Sequence, residues 1–305
     1  MKAIQQAMSL PKNMMMALTS NYCEKEHVNE YGYAIKHPLY KADLLGTAYE
    51  QYGTQLICLQ CLKEERDAAF VKRISDEAIE REKHKRKNTL HYASVYSDQS
   101  IADAGFKNFE VATPEENKNK EDALKAVKHY RAKFEKEANE YFTTMLTGST
   151  GVGKSHLAMA MLRNLNETLD AECAFVNVRR MLMMIKKSWN DQKYPYDQMY
   201  FIDLLSRVDF LVLDDLGNET GSDSEAKQWV KDILTEALEA RQTKGTIVTS
   251  NYTRDQLTKM YSEDRAVNAL ISRLLKNTAP IVFKETNDKR VKLFDLDAPI
   301  EEETE

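Results

Sequence analysis

Gly148-Ser149-Thr150-Gly151-Val152-Gly153-Lys154-Ser155 fits a phosphate-binding (Walker A) loop at every fixed position. A β-prone apolar run, Phe142 to Thr147, leads into it, and a helical pattern, His156-Leu157-Ala158-Met159-Ala160-Met161-Leu162, follows. Strand, loop and helix in that order are what the motif needs. Glycines let backbone N–H groups wrap phosphate oxygens, and the helix N-terminus adds partial positive charge. Lys154 is predicted to reach the β- and γ-phosphates of ATP, and Ser155 to hold Mg²⁺. These residues predict nucleoside triphosphate binding.

A second run supports this. Asp209-Phe210-Leu211-Val212-Leu213-Asp214-Asp215 reads as a buried parallel strand ending in two carboxylates, the first of them 60 positions after Lys154. Asp214 is expected to take the Walker B role beside Mg²⁺, and Asp215 to orient or deprotonate the attacking water. Two acids at a strand end also describe a solvated turn; the Walker A loop upstream favours the catalytic reading.

Further strand signals at Ala174–Val178, Thr246–Ser250 and Pro280–Phe283 alternate with helical patterns over 155–168, 180–188, 224–241 and 264–276. The alternation predicts a doubly wound α/β domain with a central parallel sheet, binding ligands at the strands' C-terminal ends. Val291–Phe294 is a candidate edge strand, and Glu301–Glu305 a solubilising tail. Asn251, 36 positions past Asp215, ends its strand where a polar side chain can contact the γ-phosphate and lytic water. Arg273 is a candidate finger for the phosphate of a neighbouring subunit, with surface solvation as the plain alternative. Arg290 is a candidate cis sensor arginine; Arg265 is a weaker choice.

The first 62 residues differ in character. Cys58-Leu59-Gln60-Cys61 has the spacing of a metal knuckle, and Cys23 with His27 supplies a second pair. Together they form a Cys₃His set suited to structural Zn²⁺, which would supply much of the folding energy of a small, polar region. Unligated cysteines are the alternative, and a redox dithiol at Cys58 and Cys61 is disfavoured because no thioredoxin-type strand-helix unit surrounds it. His37 competes with His27 for the fourth place, and 31 positions separate His27 from Cys58, wider than in a compact finger. Cys173 reads as a core thiol. The predicted organisation is a zinc-binding domain over 1–62, a charged helical linker over 63–99, and an ATPase domain over 100–305.

Lysine and arginine number 43 against 48 acids, a net charge of −5, so nucleic-acid contact requires a local patch. Lys186, Lys187 and Trp189 are candidates for holding phosphate and stacking a base, as are Arg179 and Arg180 at the expected strand end; an ordinary amphipathic helix is the alternative. No apolar stretch approaches about 20 residues, which disfavours a membrane span, and no export signal is evident. The cytoplasm is the expected compartment.

Over roughly residues 100–294 the chain resembles bacterial and phage replicative helicase loaders of the DnaC/DnaI type, relatives of the IstB transposition ATPases in the AAA+ superfamily. The resemblance rests on Phe106-Lys107-Asn108-Phe109 with Pro114–Asn117, Gly148–Leu157, Leu211–Gly217, Thr249-Ser250-Asn251 and Ser272-Arg273-Leu274. It implies an AAA+ P-loop ATPase with Asn251 as sensor 1 and Arg273 as the inter-subunit finger. It also implies an N-terminal domain that grips the hexameric replicative helicase, ATP-linked self-association, and help in passing single-stranded DNA into the helicase ring. Hydrolysis would be weak until assembly. A transposition-assisting IstB-like ATPase and a nucleotide-regulated partner-remodelling module are the alternatives.

Overall fold

β-branched and aliphatic runs with no polar alternation can be buried only between two layers of helices. The computed structural model, which describes residues 11–28, 31–191, 193–218, 228–261 and 269–289, places five strands in one parallel sheet, three of them buried along their whole length. The chain divides into two compact units, Met1–Arg81 and Glu82–Glu305.

In the first unit, helix α1 (Lys12–Ala17) precedes strands β1 (Leu18–Tyr22), β2 (His27–Val28), β3 (Ala34–Ile35), β4 (Pro38–Lys41) and β5 (Leu56–Ile57). Strands β1, β4 and β5 form one antiparallel sheet, and β2 pairs with β3. Its core is small: Ala17, Tyr40, Ala42, Leu45 and Ile57. Helix α2 (Leu59–Tyr92) carries the charged segment; Phe70, Ile74 and Ile79 on it are exposed.

The second unit contains α3 (Pro114–Glu135), β6 (Thr143–Gly148), α4 (Lys154–Thr168), β7 (Cys173–Asn177), α5 (Val178–Asn190), α6 (Gln198–Arg207) and β8 (Phe210–Asp214). Then come α7 (Gln228–Ala240), β9 (Gly245–Ser250), α8 (Arg254–Tyr261), α9 (Ala269–Leu274) and β10 (Thr278–Phe283). Sheet order is β10-β6-β9-β8-β7, every pair parallel. Leaving β6, the chain crosses two strands to reach β7, which opens a crevice at the C-terminal ends of the central strands. Leu157, Met161, Leu162 and Leu165 of α4 pack with Val127 and Tyr130 of α3 in one core cluster. Met181, Ile185, Phe201, Leu205, Ile233 and Leu234 belong to the other.

Three sequence expectations change. Val178 opens α5 rather than ending β7, because the Asn177 side chain accepts from the Arg180 backbone N–H and caps the helix. Arg179 and Arg180 therefore lie in the first helical turn, not at a strand end. Helices α6 and α8 lie where no element was expected. Arg290, Arg265, the candidate edge strand Val291–Phe294 and the tail Glu301–Glu305 lie outside the described residues.

Candidate functional site

The phosphate loop joins β6 to α4, and its backbone explains its glycines. Gly151 has φ +81°, and a Cβ there would run into the Asp288 carboxylate. Gly153, at φ +94°, is the N-cap of α4; an L-side chain is strained at both angles. Lys154, 5% exposed, donates from Nζ to Gly148 O (3.0 Å), Ser149 O (2.6 Å) and Asn251 Oδ1 (2.8 Å). The charge of the loop is thus tied across the sheet to the end of β9.

Asp214 ends β8 and is buried. Its Oδ1 accepts from Thr249 Oγ1 (2.8 Å) and its Oδ2 from Asn177 Nδ2 (3.0 Å). Burial raises its pKa, opposed by hydrogen bonds from Ser155, Asn177 and Thr249. Asp215 follows at φ +64°, a left-handed conformation that costs a non-glycine residue about 1–3 kcal/mol. Its N–H donates to Thr249 Oγ1 (2.9 Å), and its Oδ1 accepts from Asn218 Nδ2 (2.9 Å) and Asn251 Nδ2 (3.4 Å). Asn251 therefore bridges Lys154 and Asp215. Ser97, Asp98, Ser100, Ile101 and Ala104 face the loop across one pocket, which Ser155, Asp214, Asp215, Asn251 and Lys289 also line.

A loop of backbone N–H groups, a lysine, a serine beside a buried carboxylate and a second acid suit a Mg²⁺–triphosphate. Asp214→Asn tests the metal half. An acid with a raised folded-state pKa weakens the fold as pH rises from its unfolded value, about 3.9, through the folded one. The amide removes that penalty but leaves one of the two donors, Thr249 or Asn177, without its acceptor, so metal-free stability of the variant at neutral pH should stay within about 1–3 kcal/mol of wild type in urea titrations. Mg²⁺-dependent ATP turnover should fall by about 100-fold or more, since the metal's electrostatic contribution is worth several kcal/mol.

Asn177, Thr249, Asn218 and the wall at 97–104 were not anticipated. Asn177 and Asn251 share one signal, a polar residue closing an apolar strand. Lys289 also lines the pocket. Its Nζ contacts Glu116 Oε1 (3.0 Å) and Glu110 O (2.5 Å), and it lies 4.8 Å from the Phe109 ring centroid.

Arg273 is not brought to these residues. It lines a second cavity with Phe142, Thr143, Thr246 and Asn277, at the opposite, N-terminal ends of the strands. Its Nη2 pairs with Glu239 Oε1 at 2.5 Å, while Nε and Nη1 are buried without a hydrogen-bond partner among the described residues. A guanidinium there cannot serve the phosphate loop of its own subunit.

In the first unit, Cys23, His27, Cys58 and Cys61 converge, with their donor atoms all within 4.8 Å of one another. Cys23 Sγ lies 3.4 Å from Cys61 Sγ, and His27 Nε2 lies 3.3 Å from Cys61 Sγ and 3.7 Å from Cys58 Sγ. Tetrahedral zinc, with bonds of about 2.3 Å to sulfur and about 2.0 Å to nitrogen, spaces its ligand atoms roughly 3.5–3.8 Å apart. The cluster fits that ion. His37 stacks on His27 with ring centroids 4.6 Å apart and is not one of the four converging residues.

Lys186, Lys187 and Trp189 lie on α5. Lys186 Nζ is 5.6 Å from the Trp229 ring centroid and Lys187 Nζ 4.2 Å from that of Tyr194. Trp189 meets Trp229 edge-on at 5.2 Å and remains 58% exposed. Cys173 is fully buried in β7. Among the described residues, no helix is long and apolar enough to cross a membrane.

A family described as "IstB-like ATP binding protein" matches residues 43–293. Among solved structures, one titled as DnaI is 23% identical with a TM-score of 0.48, covering 64% of this chain and 96% of that one. A DnaC helicase loader is 20% identical at a TM-score of 0.48, covering 61% and 100%. DnaA from Aquifex aeolicus, bound to AMPPCP, is 16% identical at 0.45, covering 61% and 52%. No curated protein matches.

Proposed function

Because this chain belongs to the IstB-like ATP-binding proteins, we propose that it is an ATP-dependent loader of the hexameric replicative DNA helicase, acting in the cytoplasm of a bacterial cell or phage-infected host. The observation carrying the reading is the separation of Arg273 from the phosphate loop, at opposite ends of one sheet. On this reading Arg273 serves the phosphate loop of a neighbouring copy, and ATP favours assembly. The Cys₃His cluster favours the loader over a transposition-assisting ATPase, because it gives the chain a separate recognition unit for the helicase.

Lys154 and the loop N–H groups hold the triphosphate, Ser155 and Asp214 hold Mg²⁺, and Asp215 with Asn251 orients the attacking water. Mg²⁺, when bound, supplies neutralisation of the charge that develops on the phosphate oxygens. The strained backbone at Asp215 keeps its carboxylate beside Asn251 instead of letting it turn to solvent. A lone subunit lacks the neighbour's Arg273, so hydrolysis waits for assembly.

Trp189, with Lys186 and Lys187 nearby, offers a stacking surface for single-stranded DNA. Trp189→Ala is expected to weaken binding of an oligonucleotide by about 1–3 kcal/mol, the worth of one stacked base, in fluorescence anisotropy. Unchanged binding would remove this surface from the account.

The loading reading is tested by deposition of helicase on a circular single strand. With ATP and this chain, helicase should be retained on the circle; without either, it should not. Deposition indifferent to the chain would turn the reading toward transposition or partner remodelling.

A further inference from the structure

Two stacked imidazoles, His27 and His37, lie beside three thiols that want a single fourth partner. Their surroundings differ. His27 Nδ1 lies 2.8 Å from Glu64 Oε1. An ionised carboxylate only accepts hydrogen bonds, so Nδ1 carries the proton, and Nε2 presents its lone pair to Cys58 and Cys61. Glu64 is itself fixed: Lys25 Nζ donates to Oε2 at 2.7 Å and Gln60 Nε2 to Oε1 at 3.2 Å. His37 has no such orienting partner, and its Nδ1 is buried with no hydrogen bond.

We propose that Glu64 is the positioning residue that makes His27, and not the stacked His37, the fourth ligand of the metal centre. The proposal rests on the zinc reading of the Cys₃His cluster. Glu64 follows Cys61 by three positions in α2, so one helical face delivers a ligand and the orienter of another ligand together. Lys25, between Cys23 and His27, closes the set by holding the second carboxylate oxygen. A metal-bound histidine whose far nitrogen donates to a carboxylate has its tautomer and ring plane fixed, and loss of that partner typically costs 10–100-fold in metal affinity.

The test uses the full chain and Zn²⁺ in competition with a chromophoric chelator. Wild type should bind one zinc tightly, Glu64→Ala about 10–100-fold more weakly. Glu64→Gln, whose amide oxygen still accepts from Nδ1–H, should recover most of that loss. His37→Ala should retain wild-type affinity, whereas His27→Ala should lose it. Imidazole ¹⁵N spectra should show His27 bound through Nε2 at saturating Zn²⁺. In the metal-free protein its neutral ring should be the Nδ1–H tautomer in wild type and a tautomer mixture in Glu64→Ala, a signature that a merely structural glutamate would not change. Zinc uptake by wild type with equal affinity in Glu64→Ala, or loss of binding in His37→Ala, overturns this assignment alone. No zinc uptake by wild type overturns the metal reading beneath it.

Discussion

Lys154→Ala is expected to lower ATP affinity by about 10²–10⁴-fold. The ammonium group is already desolvated and held by Gly148 O, Ser149 O and Asn251 Oδ1, so little reorganisation separates it from the phosphates. Two hydrogen bonds to charged oxygens contribute about 1.5–3 kcal/mol each, and every 1.4 kcal/mol is about tenfold in affinity. Alanine also leaves Asn251 without the contact that aligns it toward Asp215, so any residual turnover should fall further than affinity does. Titration with a fluorescent ATP analogue reads the effect. Affinity within threefold of wild type would mean that the loop does not hold a triphosphate in the manner argued.

Arg273→Ala has the second large effect, and its signature is separable. The guanidinium lies at the far end of the sheet from its own loop, so nucleotide affinity of the isolated subunit should not change. Turnover of the assembled protein should fall by about 10³-fold or more, the usual worth of an arginine supplied to a transferring phosphoryl group. Truncation removes two buried donors that have no hydrogen-bond partner among the described residues and one ion pair to the well-exposed Glu239, so the fold should survive. The decisive arm mixes two inactive variants. On the proposed roles, Lys154→Ala subunits keep Arg273 but bind ATP weakly, and Arg273→Ala subunits bind ATP but offer their neighbour no arginine. Mixed, they should recover part of the activity. No recovery, or a loss of affinity in Arg273→Ala alone, would place the arginine's role within one subunit.

The parallel sheet was legible because β7, β8 and β9 are buried along their whole length, so their sequences are largely apolar rather than strictly alternating; β10, at the sheet edge, alternates exposed and buried positions. Each edge was harder. At Val178 apolar character continues while the backbone turns helical, and only the capping side chain of Asn177 marks the change. Helix α6 had a usable signal: the Asp197 side chain accepts from the Tyr200 N–H. The aromatic residues around it (Tyr194, Tyr196, Tyr200, Phe201) blur its helical period.

Site residues contiguous in sequence, Gly148 to Ser155 and Asp214-Asp215, could be named from order alone. Thr249 and Asn177 could not, because their bonds to Asp214 exist only once β7, β8 and β9 become neighbours, and strand order is not written in any local pattern. The same limit applied in the first unit. Three cysteines and two competing histidines, His27 and His37, were legible as metal-ligand candidates by residue type, whereas Glu64 is one acid among many until the helix turns it toward His27.

Association with the helicase bears most directly on the proposed role. The chain would be mixed with the hexameric replicative helicase of its host and its mass followed by light scattering after size exclusion, with and without ATP and Mg²⁺. The account predicts a complex heavier than the hexamer by several copies of the chain, favoured by ATP and lost when Cys58 and Cys61 are both replaced by serine. A hexamer that elutes unchanged under every nucleotide condition would contradict it.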